Sequence, residues 1–169
     1  MTMQYDVKSS HSSGSGYLVK GRTRLKNLVY LGTGTAGGID IFDAPSAPVS
    51  ATYGRSGTTV TVTLTGHGLS TGNYVGISYS AVGGVSPVAG NYPVTVVDAN
   101  TFTITDLNSG TIATSTACRV AITGRWMCGY NTGTAVQPFQ VLYAGEGILA
   151  LNGIYAAVTN ISFQTILYG

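Results

Sequence analysis

The sequence predicts an all-β protein. Period-2 alternation is the first reason. Val60, Val62 and Leu64 alternate with Thr59, Thr61, Thr63 and Thr65, and Phe102 and Ile104 alternate with Thr101, Thr103 and Thr105. That is the pattern of half-buried strands. Composition is the second. With 24 Gly, many β-branched residues and few helix formers, long helices are disfavoured. The third is a surface vocabulary of Thr, Ser and Gly. Only 8% of the residues are charged, against roughly 25% in an average soluble protein. So little charge protects weakly against association, which points to a chain that lives in an assembly.

The elements follow in order. Residues 1–15, with the run SSHSSGSG, read as a flexible N-terminal arm. Tyr17 to Leu31 reads as one long strand or two short ones, residues 32–38 as a Gly/Thr loop, and GIDIFD (38–43) as another strand. APSAPVS (44–50) places two prolines in a linker. After Gly124 the texture changes. A turn is expected at Asn131-Thr132-Gly133-Thr134, then four strands at 137–143, 147–151, 154–159 and 161–168, punctuated by Gly145, Gly147, Gly153 and Asn160. Such spacing suits a sandwich or barrel. Residues 16–49 hold too few strands for a domain alone. They are expected to fold with 124–169 into one jelly-roll-like β-sandwich, with 50–123 inserted in one of its loops.

The insert carries RSGTTVTVT (55–63), HGLSTG (67–72), GNYPV (90–94) and ANTFT (99–103), in that order. In these motifs it resembles a small β-barrel module that recurs in bacteriophage tail and virion proteins. The resemblance covers about a third of the chain. It implies a small barrel and a virion component rather than an enzyme. The flanks, with SGYLVKGRTRLKNLVY and GEGILALNGIYAAVTNISFQTILYG, look similar to small structural proteins encoded by tailed phages.

A net charge of +2 is too small to argue for nucleic acid. No eighteen consecutive residues are apolar, so no transmembrane helix is expected, and MTMQYDVKSS lacks the apolar core of a secretory signal. Synthesis in a bacterial host cytoplasm is the expectation. Cys118 and Cys128 lack a CxxC partner, and both His are distant in sequence. Buried thiols are expected rather than a metal site, with a disulfide left open.

The basic row is the main candidate site. Lys20, Arg22, Arg24 and Lys26 are half of all basic residues, and on one strand period 2 puts them on one face. Such a face suits attachment to an acidic protein surface. It also suits phosphate contact, a solvated strand face, or an edge guarded by charge. Tyr74, Tyr79 and Tyr92, beside Tyr53, are candidates for contact with a host-surface glycan, with ordinary barrel and hairpin packing the favoured alternative; Tyr79, before Gly83-Gly84, is the best candidate for an exposed one. Trp126, Met127, Phe139, Leu142 and Tyr143 read as core.

GTGTAG (32–37) matches GxGxxG, but the next residues alternate like a strand. A dinucleotide site needs a helix there, so no cofactor is expected. Asp40 and Asp43 are the only acids close in sequence, and i and i+3 on a strand face opposite ways. No carboxylate pair for glycoside hydrolysis is assembled, His67 reads as structural, and no enzyme or metal site is expected.

These readings converge on a virion structural protein. The expected role is a capsid decoration or cement protein bound to the major capsid protein as a homo-oligomer, a trimer by analogy with how such proteins assemble. The alternative is a tail component (a short fibre, adaptor or receptor-binding knob) among other tail proteins. Neither role involves a membrane or nucleic acid.

Overall fold

The structure, a computed structural model, describes residues 7–80 and 85–169, without the side chains of Thr114 and Ser115. It is all-β, with fourteen strands among the described residues: β1 (Lys8–Ser12), β2 (Gly16–Lys20), β3 (Thr23–Gly32), β4 (Gly37–Asp43), β5 (Val49–Thr63), β6 (Tyr74–Tyr79), β7 (Gly90–Pro93), β8 (Thr95–Asp98), β9 (Thr101–Ala121), β10 (Arg125–Gly133), β11 (Pro138–Leu142), β12 (Ile148–Ala150), β13 (Gly153–Thr159) and β14 (Ile161–Tyr168). The chain divides into two compact units, Met1–Ala47 with Met127–Gly169, and Pro48–Trp126.

The first unit is a two-sheet sandwich. One sheet has the order β1-β14-β3-β11, with β12 also on β3, and the other β10-β4-β13-β2. β11 and β12 lie along the same edge of β3, opposite Leu31 to Asn27 and Leu25 to Thr23. They act as one strand interrupted at residues 143–147. Counted so, the first strand of the unit pairs with the last, the second with the seventh, the third with the sixth and the fourth with the fifth. That is one long hairpin rolled onto itself, the eight-stranded jelly roll. Its fold point is the β4-to-β10 connection, and the second unit occupies it. Leu25, Leu28, Tyr30, Ala150, Ile161 and Ile166 from one sheet bury against Leu18, Ile39, Ile41, Ile154 and Ala156 from the other.

Several expectations change here. The arm is partly a strand: Lys8 to Ser12 pair with Tyr168 to Gln164, while residues 1–6 lie outside the described residues. The expected turn at 131–134 lies one residue later: β10 runs through Gly133, whose φ is +55°, and the Ala135 amide donates to the Thr132 carbonyl at 3.2 Å. Leu142 is not core. It ends an outer strand and is 74% exposed.

The second unit is one five-stranded sheet in the order β5-β9-β6-β7, with β8 also on β9. β5 pairs along β9 from Val49↔Val120 to Thr63↔Thr101. On the other side of β9, Thr103 to Thr101 pair with β8 and Ala121 to Cys118 with β6. In place of the expected barrel, the ladder does not close among the described residues. Val60, Val62, Val75, Ile77, Phe102, Ile104 and Val120 nonetheless share one core. Length explains it. A strand of 21 residues can curl over its own core without joining its edges, and the register breaks opposite Gly54 and Thr58, where β9 carries extra residues, let it bend.

Candidate functional site

The four-residue basic row does not lie on one strand. Gly21 has φ +86°, a left-handed conformation that Gly adopts without strain, and there the chain leaves one sheet for the other. Lys20 closes β2, Arg22 sits in the turn, and Arg24 and Lys26 lie on β3. A one-residue bulge at Lys26 shifts the phase again: Leu167 and Leu142 face Asn27, while Tyr168 and Ile148 face Leu25.

Tertiary pairing gathers these residues differently, at one end of the sandwich. Lys8 pairs with Tyr168, and Tyr168 with Leu25. Lys20 pairs with Gly153, and the Gly21 amide donates to the Asn152 carbonyl at 2.9 Å. Arg24 and Gly169 exchange backbone hydrogen bonds. Lys8, Lys20, Arg22, Arg24 and Lys26 are thus brought to one end, all at least partly exposed. Lys8 joins them only because β1 pairs with β14; no local signal in the sequence links it to the row.

Among the described residues, Glu146 and Asp43 also lie at this end. Arg24 lies 3.8 Å from exposed Glu146, a contact worth at most ~1 kcal/mol in water. Asp43 is buried, and its two oxygens accept the amides of Leu151 and Asn152 at 2.9 and 2.8 Å. Its carboxylate therefore tightens the β12–β13 turn. The Lys20 ammonium lies 5.4 Å from the centre of the Tyr17 ring, a contact that steadies a cation on a surface. Exposed and multiply positive, this end can bind an anionic surface.

The tyrosines separate by environment. Tyr74 is 66% exposed. Tyr79, the best candidate for exposure in the sequence, is half-buried instead. It packs against the core, edge-on to Tyr53 at 4.8 Å, and burial raises its pKa. Its hydroxyl is buried with no hydrogen-bond partner among the described residues. Tyr92 is half-buried and donates to the Val88 carbonyl at 2.7 Å. Only Tyr74 of the three presents most of its ring to solvent.

Two internal clusters escaped the sequence reading. In the second unit Arg55 Nη2 lies 2.7 Å from Asp106 Oδ2, both side chains fully buried. Arg55 also donates to the carbonyls of Gly57 and Val85, and Asp106 accepts the Val88 amide. The pair thus pins backbone on both sides of itself. Arg55 opens the RSGT motif, which was a visible hint of its role. In the sandwich, the Tyr143 hydroxyl lies 3.0 Å from Cys128 Sγ and 3.1 Å from the Tyr130 hydroxyl. Burial pushes the Cys128 thiol up to about 11 and Cys118 to about 12. Both thiols are free.

His67 is buried, accepts the Leu69 amide at Nδ1 and meets the Asp98 carbonyl through Nε2. This arrangement requires the Nε2–H tautomer and fastens the turn. After GTGTAG the chain runs directly into β4. Among the described residues no three His, Cys, Asp or Glu are grouped to hold a metal ion, and no helix is long and apolar enough to cross a membrane. No protein-family model matches the chain, and no curated protein matches it.

Proposed function

We propose that the chain is a structural protein of a bacteriophage particle that decorates the head and binds the major capsid protein through the basic end of its sandwich. The observation that carries the reading is the convergence of Lys8, Lys20, Arg22, Arg24 and Lys26 at one end of the sandwich, in a chain otherwise so poor in charge. The jelly-roll strand order supports it by analogy, because viral shells and lectins reuse that fold. The mechanism is association: cations steer the chain to an acidic surface, and water-excluding contacts hold it there. The motifs 55–63, 67–72, 90–94 and 99–103 support the phage assignment by resemblance.

The test is copy number in particles that carry the chain, by quantitative mass spectrometry against the major capsid protein. A ratio near one per capsid subunit, or one oligomer per capsomer vertex, supports the head role. Charge reversal at Lys20 and Arg22 then weakens binding to emptied heads and flattens its salt dependence. A few copies per particle favour the second reading, a tail component that meets host glycan. Exposed Tyr74 on the second unit favours that reading.

A further inference from the structure

The second unit carries an unguarded strand edge. β5 is the end strand of its sheet and pairs only with β9 among the described residues. The phase of the ladder decides which backbone groups face outward. The Leu64 amide donates to the Asn100 carbonyl at 2.8 Å, and Val62 and Val60 stand opposite Phe102 and Ile104. In an antiparallel ladder alternate residues bond to the same side. Val60 and Val62 therefore direct their N–H and C=O groups to β9, and Thr59, Thr61 and Thr63 direct theirs away from it.

An unpaired edge of this kind is a template for another strand, and proteins usually blunt it. The other outer strands among the described residues bear such devices: Lys8 on β1, Lys20 on β2, Pro93 on β7, Asp98 on β8, Arg125 on β10 and Pro138 on β11, while β12 is only three residues long. Thr59–Thr63 has no charge, no proline and no bulge within it. Its sequence, Thr-Val-Thr-Val-Thr, reads the same in both directions about Thr61.

We propose that this edge joins a second copy of the chain by antiparallel pairing about a twofold axis through Thr61. In that register Thr59 faces Thr63 of the partner subunit, Thr61 faces the partner's Thr61, and each valine faces a valine. All outward N–H and C=O groups of the threonines fall into hydrogen-bonded pairs, which exchange both bonds. The palindrome favours a copy of this chain over an unrelated strand. Because the edge pairs with the same edge of the second copy, the contact is isologous and closes at two rather than propagating. The pairing does not depend on the head assignment and adds to any contact made by the sandwich. A short edge contact is weak alone and gains from the high local concentration of chains held on one particle.

Cysteine trapping tests the register. In a hydrogen-bonded antiparallel pair the two Cα atoms lie about 5.5 Å apart, within disulfide reach. Thr61→Cys is expected to form a covalent dimer under mild oxidation. Thr59→Cys and the wild-type chain, run in parallel because Cys118 and Cys128 are free, are expected not to. Sedimentation across micromolar to millimolar concentrations gives the second readout. Thr61→Pro removes an outward N–H without touching the β5–β9 ladder, and Thr61→Lys sets like charges face to face; each should halve the mass of the assembly. Should Thr61→Pro disturb the fold by circular dichroism, Thr61→Lys carries the test. Cross-linking of Thr61→Cys no faster than Thr59→Cys, or a mass unchanged by Thr61→Lys, overturns the proposal.

Discussion

Arg55 and Asp106 meet in the interior of the second unit, 2.7 Å apart with neither side chain exposed. Burying two charges is costly, and the backbone groups that each one satisfies offset part of that cost. Arg55 holds the Gly57 and Val85 carbonyls and Asp106 holds the Val88 amide. Removing one partner leaves the other charged and unpaired. Asp106→Ala should destabilise this unit by about 3–5 kcal/mol. The double variant Arg55→Met/Asp106→Leu should recover the part of that loss due to the unpaired charge, while the Gly57, Val85 and Val88 backbone groups stay without their side-chain partners. Urea unfolding followed by the fluorescence of Trp126, the last residue of the unit, measures both. A double variant as unstable as the single one would contradict this account.

Alkaline pH should weaken the fold. Burial raises the Cys118 thiol from 9.0 to about 12 and the Cys128 thiol to about 11. Between these values and 9.0 the unfolded chain has lost protons that the folded chain keeps. The stabilisation is therefore fully present below pH 9 and is lost as pH rises toward 11 and 12. The urea midpoint should be flat near neutrality and fall above pH 9. Cys118→Ala should make the fall shallower. At pH 8 both thiols should resist iodoacetamide until the chain is unfolded.

Asp43 ties the end of β4 to the β12–β13 turn, far away in sequence. Asp43→Ala leaves the Leu151 and Asn152 amides without their acceptor and should cost about 1–3 kcal/mol. Hydrogen exchange should show both amides deprotected, while the amide of Val62 on β5 is unchanged.

Gly76 allows two backbones to approach. A Cβ there would stand 2.6 Å from the Arg125 carbonyl carbon, and backbone cannot move aside cheaply. Gly76→Ala should cost about 1–3 kcal/mol by overpacking. Gly16→Ala, whose Cβ meets nothing within 4 Å, should be near neutral. Thermal unfolding of the two variants side by side decides it.

Local chemistry alone determined the all-β class of this protein. Thr/Val alternation in β5 and Thr/Phe/Ile alternation in β9 are visible because a strand repeats every two residues. The last four strands, 137–168, were legible to within about two residues because Gly and Asn mark their ends. Sheet membership was not legible. Whether Tyr17 to Leu31 is one strand or two rests on Gly21, and only the pairing of Lys20 with Gly153 and of Leu25 with Tyr168 shows that the halves belong to different sheets. The bulge at Lys26 is invisible for the same reason: a ladder has a register only when its neighbours are known. Tertiary structure therefore broke the basic face that periodicity predicted and built a basic end in its place, adding Lys8. It also turned Tyr79 inward, left Leu142 outside and joined Arg55 to Asp106. Each is a contact between residues distant in the chain. Alternation tells how a strand is sided, but the partners across the sheet decide what each side meets.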